Sequence, residues 1–119
     1  MENSTQSAIF QTGTEIAYQN AGPGMKRLIY GYNSRLMLVK IMFETGAIGA
    51  LHHHSHVQAS YVENGVFELT IGDEKKILKQ HDGYFVPSNI VHGLLCIEAG
   101  TLVEAFTPCR EDMLITATS

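Results

Sequence analysis

Apolar and β-branched residues occur in runs of strand length separated by turn-forming residues, and a 3.6-residue periodicity is nearly absent. The runs are RLIYGY (27–32), RLMLVKIMFE (35–44), ASYVENGVFELTIG (59–72), KKILK (75–79), GYFVP (83–87), VHGLLCIE (91–98) and GTLVEAFTP (100–108). Asn64-Gly65 interrupts the third run with two residues that tolerate positive φ, which predicts a hairpin there. IGDEKKI (71–77) and EAGTL (98–102) read as two further reversals. Many short strands spaced by reversals predict one all-β domain spanning residues 1–119, an antiparallel sandwich or closed barrel. Residues 1–20 suit an edge strand or arm, and the last nine a strand, a tail or a short helix. No repeat, low-complexity segment or linker divides the chain.

Composition narrows the partners. The 119 residues are 45% hydrophobic and 17% charged, with a net charge of −4. That balance argues against a nucleic-acid surface or an anionic membrane, which need clustered Lys and Arg. No apolar run approaches the ~20 residues of a membrane-spanning helix. The opening MENSTQSAIFQTG lacks the basic segment and long apolar stretch of a secretory signal. Cys96 and Cys109 make no disulfide framework, so a reduced, cytoplasmic setting is expected. Cys96 reads as a core residue inside GLLCIE, whereas Cys109 follows Pro108 and reads as a candidate for exposure.

The densest chemistry is GALHHHSHVQ (49–58), with four histidines in five positions. On a strand, alternate residues share a face, so His52, His54, His56 and Gln58 share parity while His53 points away. Two imidazoles at i and i+2 can offer nitrogens to one ion. Gln58 can add a third ligand from a neighbouring segment or past a bend, and His92 in PSNIVHG a fourth from another strand. The alternative is a set of polar residues lining a barrel that holds no ion.

These spacings resemble the cupins. The first cupin motif is Gly, five residues, His-x-His, three or four residues, Glu, six residues, Gly; Gly46, His52, His54, Gln58 and Gly65 match it with Gln in place of Glu. The second motif keeps Pro87 and His92 across residues 81–96. There His81 replaces the leading Gly, Asn89 a second Gly and Cys96 the final Asn. Asn89 can still enter the left-handed region. The resemblance implies a single-domain cupin β-barrel, a jelly roll, with one divalent metal on His52, His54, Gln58 and His92. Its spacing sets His56 outside the ligand pattern, near the shell or exposed, and leaves His53 and His81 as surface or turn residues. Such a donor set is neutral and suits Ni, Fe, Zn, Mn, Co or Cu. It leaves the ion its full charge, which favours an anionic substrate group and Lewis-acid chemistry over oxygen activation.

Further on, Glu104 and Phe106 share a strand face and Arg110 follows a Pro108 turn. A carboxylate, a ring and a guanidinium suit a small-acid site, with Arg pairing a carboxylate and Glu moving a proton. They equally suit a buried Glu paired with a rim Arg, with Phe in the core. MKRLIYGYNSRLMLVKIMFETGAIGALHHHSHVQ and GTLVEAFTPCREDML resemble the small cupins of the pectin degradation protein KdgF family. That likeness implies linearisation of 4,5-unsaturated uronic acids to 5-keto-4-deoxyuronate. Catalytic roles then fall to Glu104, Phe106 and Arg110, the acidic residue of the family usually being Asp. The expected partners are a small carboxylate-bearing sugar and a second copy of the chain in a homodimer, SAIFQTGTEIAY having strand character. The competing expectations are another metal-dependent cupin enzyme, such as a dioxygenase or isomerase, and a non-catalytic sugar- or metal-binding cupin.

Overall fold

The computed structural model describes residues 6–116, which form eight strands and a terminal helix. In chain order these are β1 Gln19–Gly22, β2 Met25–Asn33, β3 Leu36–Phe43, β4 Ile48–His52, β5 Val57–Ile71, β6 Glu74–Lys79, β7 Gly83–Val86, β8 His92–Thr107 and α1 Glu111–Thr116. All pairings are antiparallel. One sheet runs β1-β2-β3-β8-β5-β7, using the second half of β8 and the first half of β5; the other runs β4-β8-β5-β6 through the remaining halves. The hydrogen-bonded path does not close on itself, so the expected barrel is a jelly roll of two facing sheets. Of the strand, tail or short helix open to the last nine residues, the structure has the helix, α1. Residues 7–18, read for strand character, carry no strand, and residues 1–5 and 117–119 lie outside the described residues.

Alternation decides which faces meet. On β3, Met37, Val39 and Phe43 are buried while Leu36 and Leu38 face out. The inward residues form two apolar clusters. Phe43, Val62, Phe67, Leu69, Leu78, Cys96 and Leu102 fill the middle, with the Phe43 and Phe67 rings edge to face at 5.3 Å. Met37, Val39, Phe106, Cys109 and Met113 fill the end beneath α1. Cys109, a candidate for exposure, is instead buried: the chain turns inward after Pro108 so that α1 can seat Met113 on the sheet.

Two expected reversals are bends in long strands. β5 continues through Asn64-Gly65 and β8 through Glu98–Thr101, and the two pair along almost their whole length with shifts of register between Val62 and Phe67. Only the Gly72-Asp73 turn between β5 and β6 is the hairpin the pattern predicted. At the bend, Gly65 has φ +89° and a Cβ added to it would lie 2.6 Å from the Gly100 Cα. A Cβ on Gly100 would overlap the Asn64 carbonyl oxygen. The strands pass from one sheet to the other by touching backbone to backbone, a use of glycine at bulges. Gly100→Ala is therefore expected to lower stability by about 3 kcal/mol, the upper range for overpacking. Urea unfolding measures it, and an unchanged midpoint would show that the bend relaxes freely.

Candidate metal centre

β4 ends at His52, and β8 begins at His92 directly opposite it in register. Forty positions of sequence separate two rings whose centroids lie 4.3 Å apart. The chain leaves the sheet after His52, so the shared parity expected from His52 to Gln58 does not hold along one strand. His54 instead sits in the loop over residues 53–56, and Gln58 returns on β5 past the bend. That loop is clamped by the one before β8: Asn89 N–H donates to the His54 carbonyl at 2.7 Å and Ser88 Oγ to the Ser55 carbonyl at 2.7 Å. Asn89 and His81, both at glycine positions of the motif, have φ of 63° and 80°. The left-handed backbone is kept although the glycines are not.

His52, His54 and His92 each bring one ligand atom within 4.8 Å of the others, a group suited to a metal ion. The backbone sets their tautomers. Nδ1 lies 2.9 Å from the Ala50 carbonyl in His52, from the His56 carbonyl in His54 and from the Ile90 carbonyl in His92. A carbonyl only accepts, so each Nδ1 carries the proton and each Nε2 presents a lone pair. Nε2 of His54 and of His92 is buried without a hydrogen-bond partner among the described residues. Two buried acceptors left without a donor are costly unless something else meets them. Both imidazoles are held below the usual histidine range, chiefly by burial, which keeps them neutral as metal ligands must be. Exposed His52 leaves the group open on one side. His56 contributes its carbonyl to orient His54, and its ring stands 5.6 Å from the His54 ring; His53 is exposed.

A polar row lies behind the histidines. Tyr84 on β7, Ser60 on β5 and Glu104 on β8 are direct cross-strand neighbours, and Gln58 faces Phe106 one row away. Gln58 Nε2 donates to Ser60 Oγ at 3.1 Å and to Glu104 Oε2 at 3.2 Å. Gln58 slightly opposes the lowering of His54 by burial. Glu104 Oε2 also accepts a 3.5 Å bond from the Tyr84 hydroxyl. Burial pushes the Glu104 carboxyl up to about 7, against the lowering effect of Arg110, of the Tyr84 hydrogen bond and of Arg27. Burial, then the Glu104 charge, drive the Tyr84 phenol upward, so it remains a donor.

These groups line a cavity of about 240 Å³ that includes His52, Gln58, His92, Glu104, Phe106 and Arg110. Phe106 is 1% exposed and serves both core and cavity. Arg110 lies over its ring, 5.2 Å from the centroid, and gives Nε and Nη2 to the Asp112 carboxylate at 3.0 and 2.9 Å. Six of the residues singled out in the sequence thus line one cavity, and His54 stands beside it through its grouping with His52 and His92. Sequence reasoning passed over Ser60, Tyr84 and Arg27, which also belongs to the wall.

Residues 39–104 match the family model for the cupin domain. Over 102 residues the chain is 41% identical to pectin degradation protein KdgF of Dickeya dadantii (strain 3937), covering 84% of this chain and 93% of that protein. An RmlC-like cupin from Shewanella frigidimarina superposes with a TM-score of 0.89 at 40% identity, over 92% of this chain and 98% of that one. KdgF from Halomonas sp. superposes with a TM-score of 0.84 at 34% identity, over 87% and 98% of the two chains.

Proposed function

This chain belongs to the cupin family and, within it, to the small cupins of the KdgF kind, and from that footing we propose that it linearises 4,5-unsaturated uronic acid monosaccharides released in pectin or alginate breakdown. One observation carries the reading: a buried carboxyl poised near neutrality shares one cavity with two histidines of a group suited to a metal.

His52, His54, Gln58 and His92 would hold one divalent transition metal, and two orphaned imidazole nitrogens fit that role. When bound, such an ion supplies Lewis acidity, stabilising negative charge that develops on a substrate oxygen. All four protein donors are neutral, so they leave that charge undiminished for an anionic substrate. Arg110 contributes positive charge to the cavity, and Phe106 offers a flat apolar wall to the sugar ring.

The reaction is an isomerisation. The anomeric hydroxyl loses its proton, the bond from C1 to the ring oxygen breaks, and the electron pair stays on that oxygen as an enolate at C5. C4 then takes a proton and C5 becomes a ketone, so one proton leaves oxygen and one arrives at carbon. Glu104 can perform both transfers, because a carboxyl titrating near neutrality is populated in both forms. Its Oε2 is occupied by Gln58 and Tyr84, which leaves Oε1 as the atom that exchanges the proton.

Purified protein is expected to speed the loss of ultraviolet absorbance of an unsaturated monouronate above its spontaneous rate. A chelator should remove that acceleration and a divalent transition metal restore it. The same rate with and without protein, whatever the metal, overturns the proposal.

A further inference from the structure

Strand ladders place three of the four expected ligands. His52 and His92 face each other across β4 and β8. Gln58 lies on β5 between Val86 of β7 and Phe106 of β8. His54 stands on no strand. Its ring is oriented by the His56 carbonyl two positions along the same loop, which fixes the ring to the loop but not the loop to the sheets. How near His54 comes to the other imidazoles is therefore decided by whatever ties residues 53–56 down.

That loop is gripped at two neighbouring carbonyls, both from the segment just before His92. The Asn89 N–H donates to the His54 carbonyl and Ser88 Oγ to the Ser55 carbonyl, each at 2.7 Å. The donor segment is itself braced. The Ile90 N–H donates to the Pro87 carbonyl at 3.3 Å, closing a turn, and the Val91 carbonyl accepts from the Gly72 N–H at 2.8 Å. Within that turn Asn89 has its positive φ of 63°. The Ile90 carbonyl lies 2.9 Å from His92 Nδ1 and orients that ring. Residues 88–90 thus hold the loop that carries one imidazole and aim another, and the two ring centroids lie 4.8 Å apart.

We propose that Ser88, together with the Asn89 N–H, is a positioning residue of the metal centre: the clamp between the two loops keeps His54 within reach of the ion that His52 and His92 would hold, and so sets how long the ion is retained. The proposal deepens the reading of the site as a metal centre and rests on it. Ser88 touches neither ion nor substrate and acts through His54. With the clamp weakened, an ion must order the loop as it binds, which subtracts from its affinity.

The rate at which zinc passes from the loaded full chain to a chromophoric chelator measures retention without recourse to turnover. Ser88→Ala is expected to lose zinc about 10-fold faster than wild type, the lower end of what removing an outer partner of a metal ligand costs. Ser88→Thr keeps the hydroxyl and should stay near the wild-type rate. The metal-free Tm should hold in both variants, because Ser88 is exposed. A His54→Ala background separates positioning from a general structural effect. There the ligand that the clamp serves is already gone, so adding Ser88→Ala should quicken zinc loss no further, whereas an independent effect would add. Should Ser88→Ala lower the metal-free Tm, that comparison decides alone. The proposal is overturned if Ser88→Ala loses zinc at the wild-type rate, or if it hastens the loss equally with and without His54. Wild type that takes up no zinc or other divalent transition metal would remove the metal centre and the clamp's role together. Zinc held equally well by wild type and Ser88→Ala would remove the clamp's role and leave the centre standing.

Discussion

Substituting His92 by alanine is expected to weaken retention of a divalent transition metal by more than about 100-fold, since losing even an outer partner of a ligand costs up to that much. His92 is the most buried member of the three-histidine group. Its Nδ1 is committed to the Ile90 carbonyl, so Nε2 has no task within the described fold. The sign of the effect on stability separates this role from a structural one. In wild type, a metal at 100 times its Kd adds about 2.7 kcal/mol of stability, which raises Tm. His92→Ala should lose that increment. Its metal-free stability should change little, because the substitution also removes an unsatisfied buried acceptor. Thermal unfolding with and without nickel or zinc, alongside metal content after dialysis, measures both quantities. His56→Ala is the control and should keep the metal, since the substitution retains the backbone carbonyl that orients His54. Stoichiometric metal in His92→Ala at wild-type affinity would dismiss the site.

The pairing of His52 with His92 was readable from motif spacing, yet the path between them was not. Asn-Gly signals a hairpin because both residues accept positive φ, and the same tolerance lets β5 bend without reversing. Choosing between the two needs the knowledge that Gly65 lies on Gly100, a contact 35 positions away that no local pattern contains. Cys109 was misread for a similar reason: its burial depends on α1 folding back so that Met113 reaches Met37 and Val39. Period-two parity served better on the strands. It put Glu104 and Phe106 on one face, and they share the cavity wall. Extended through residues 53–56 it failed, because a strand's alternation ends where the loop begins.

The residues passed over follow the same logic. Ser60 and Tyr84 look like ordinary strand positions until register sets them beside Glu104. Arg27 did carry a local signal, standing in phase with Met25 and Ile29 on an inward face; a lone basic residue there is ordinarily discounted as a long side chain reaching for solvent.

Glu104→Gln is expected to lower turnover of an unsaturated monouronate by about 10²- to 10⁴-fold, the contribution of a positioned acid or base. The substitution is chosen because it changes so little else. An amide oxygen can still accept from Gln58 Nε2 and from the Tyr84 hydroxyl, so the polar row is preserved. Metal content should therefore stay at the wild-type level, and KM should move far less than kcat. What disappears is the group that can both take and return a proton, which the wild-type carboxyl does because burial lifts it to about 7 while Arg110 keeps it from rising further. Glu104→Asp separates protonation from reach. It restores the chemistry but withdraws the carboxyl by one methylene from a row built around the longer side chain, so its rate should fall between wild type and Glu104→Gln. Undiminished turnover in Glu104→Gln, at full metal occupancy, would transfer the proton chemistry to another group in the cavity. A variant that lost metal and activity together would instead make Glu104 a residue that holds Gln58 in place.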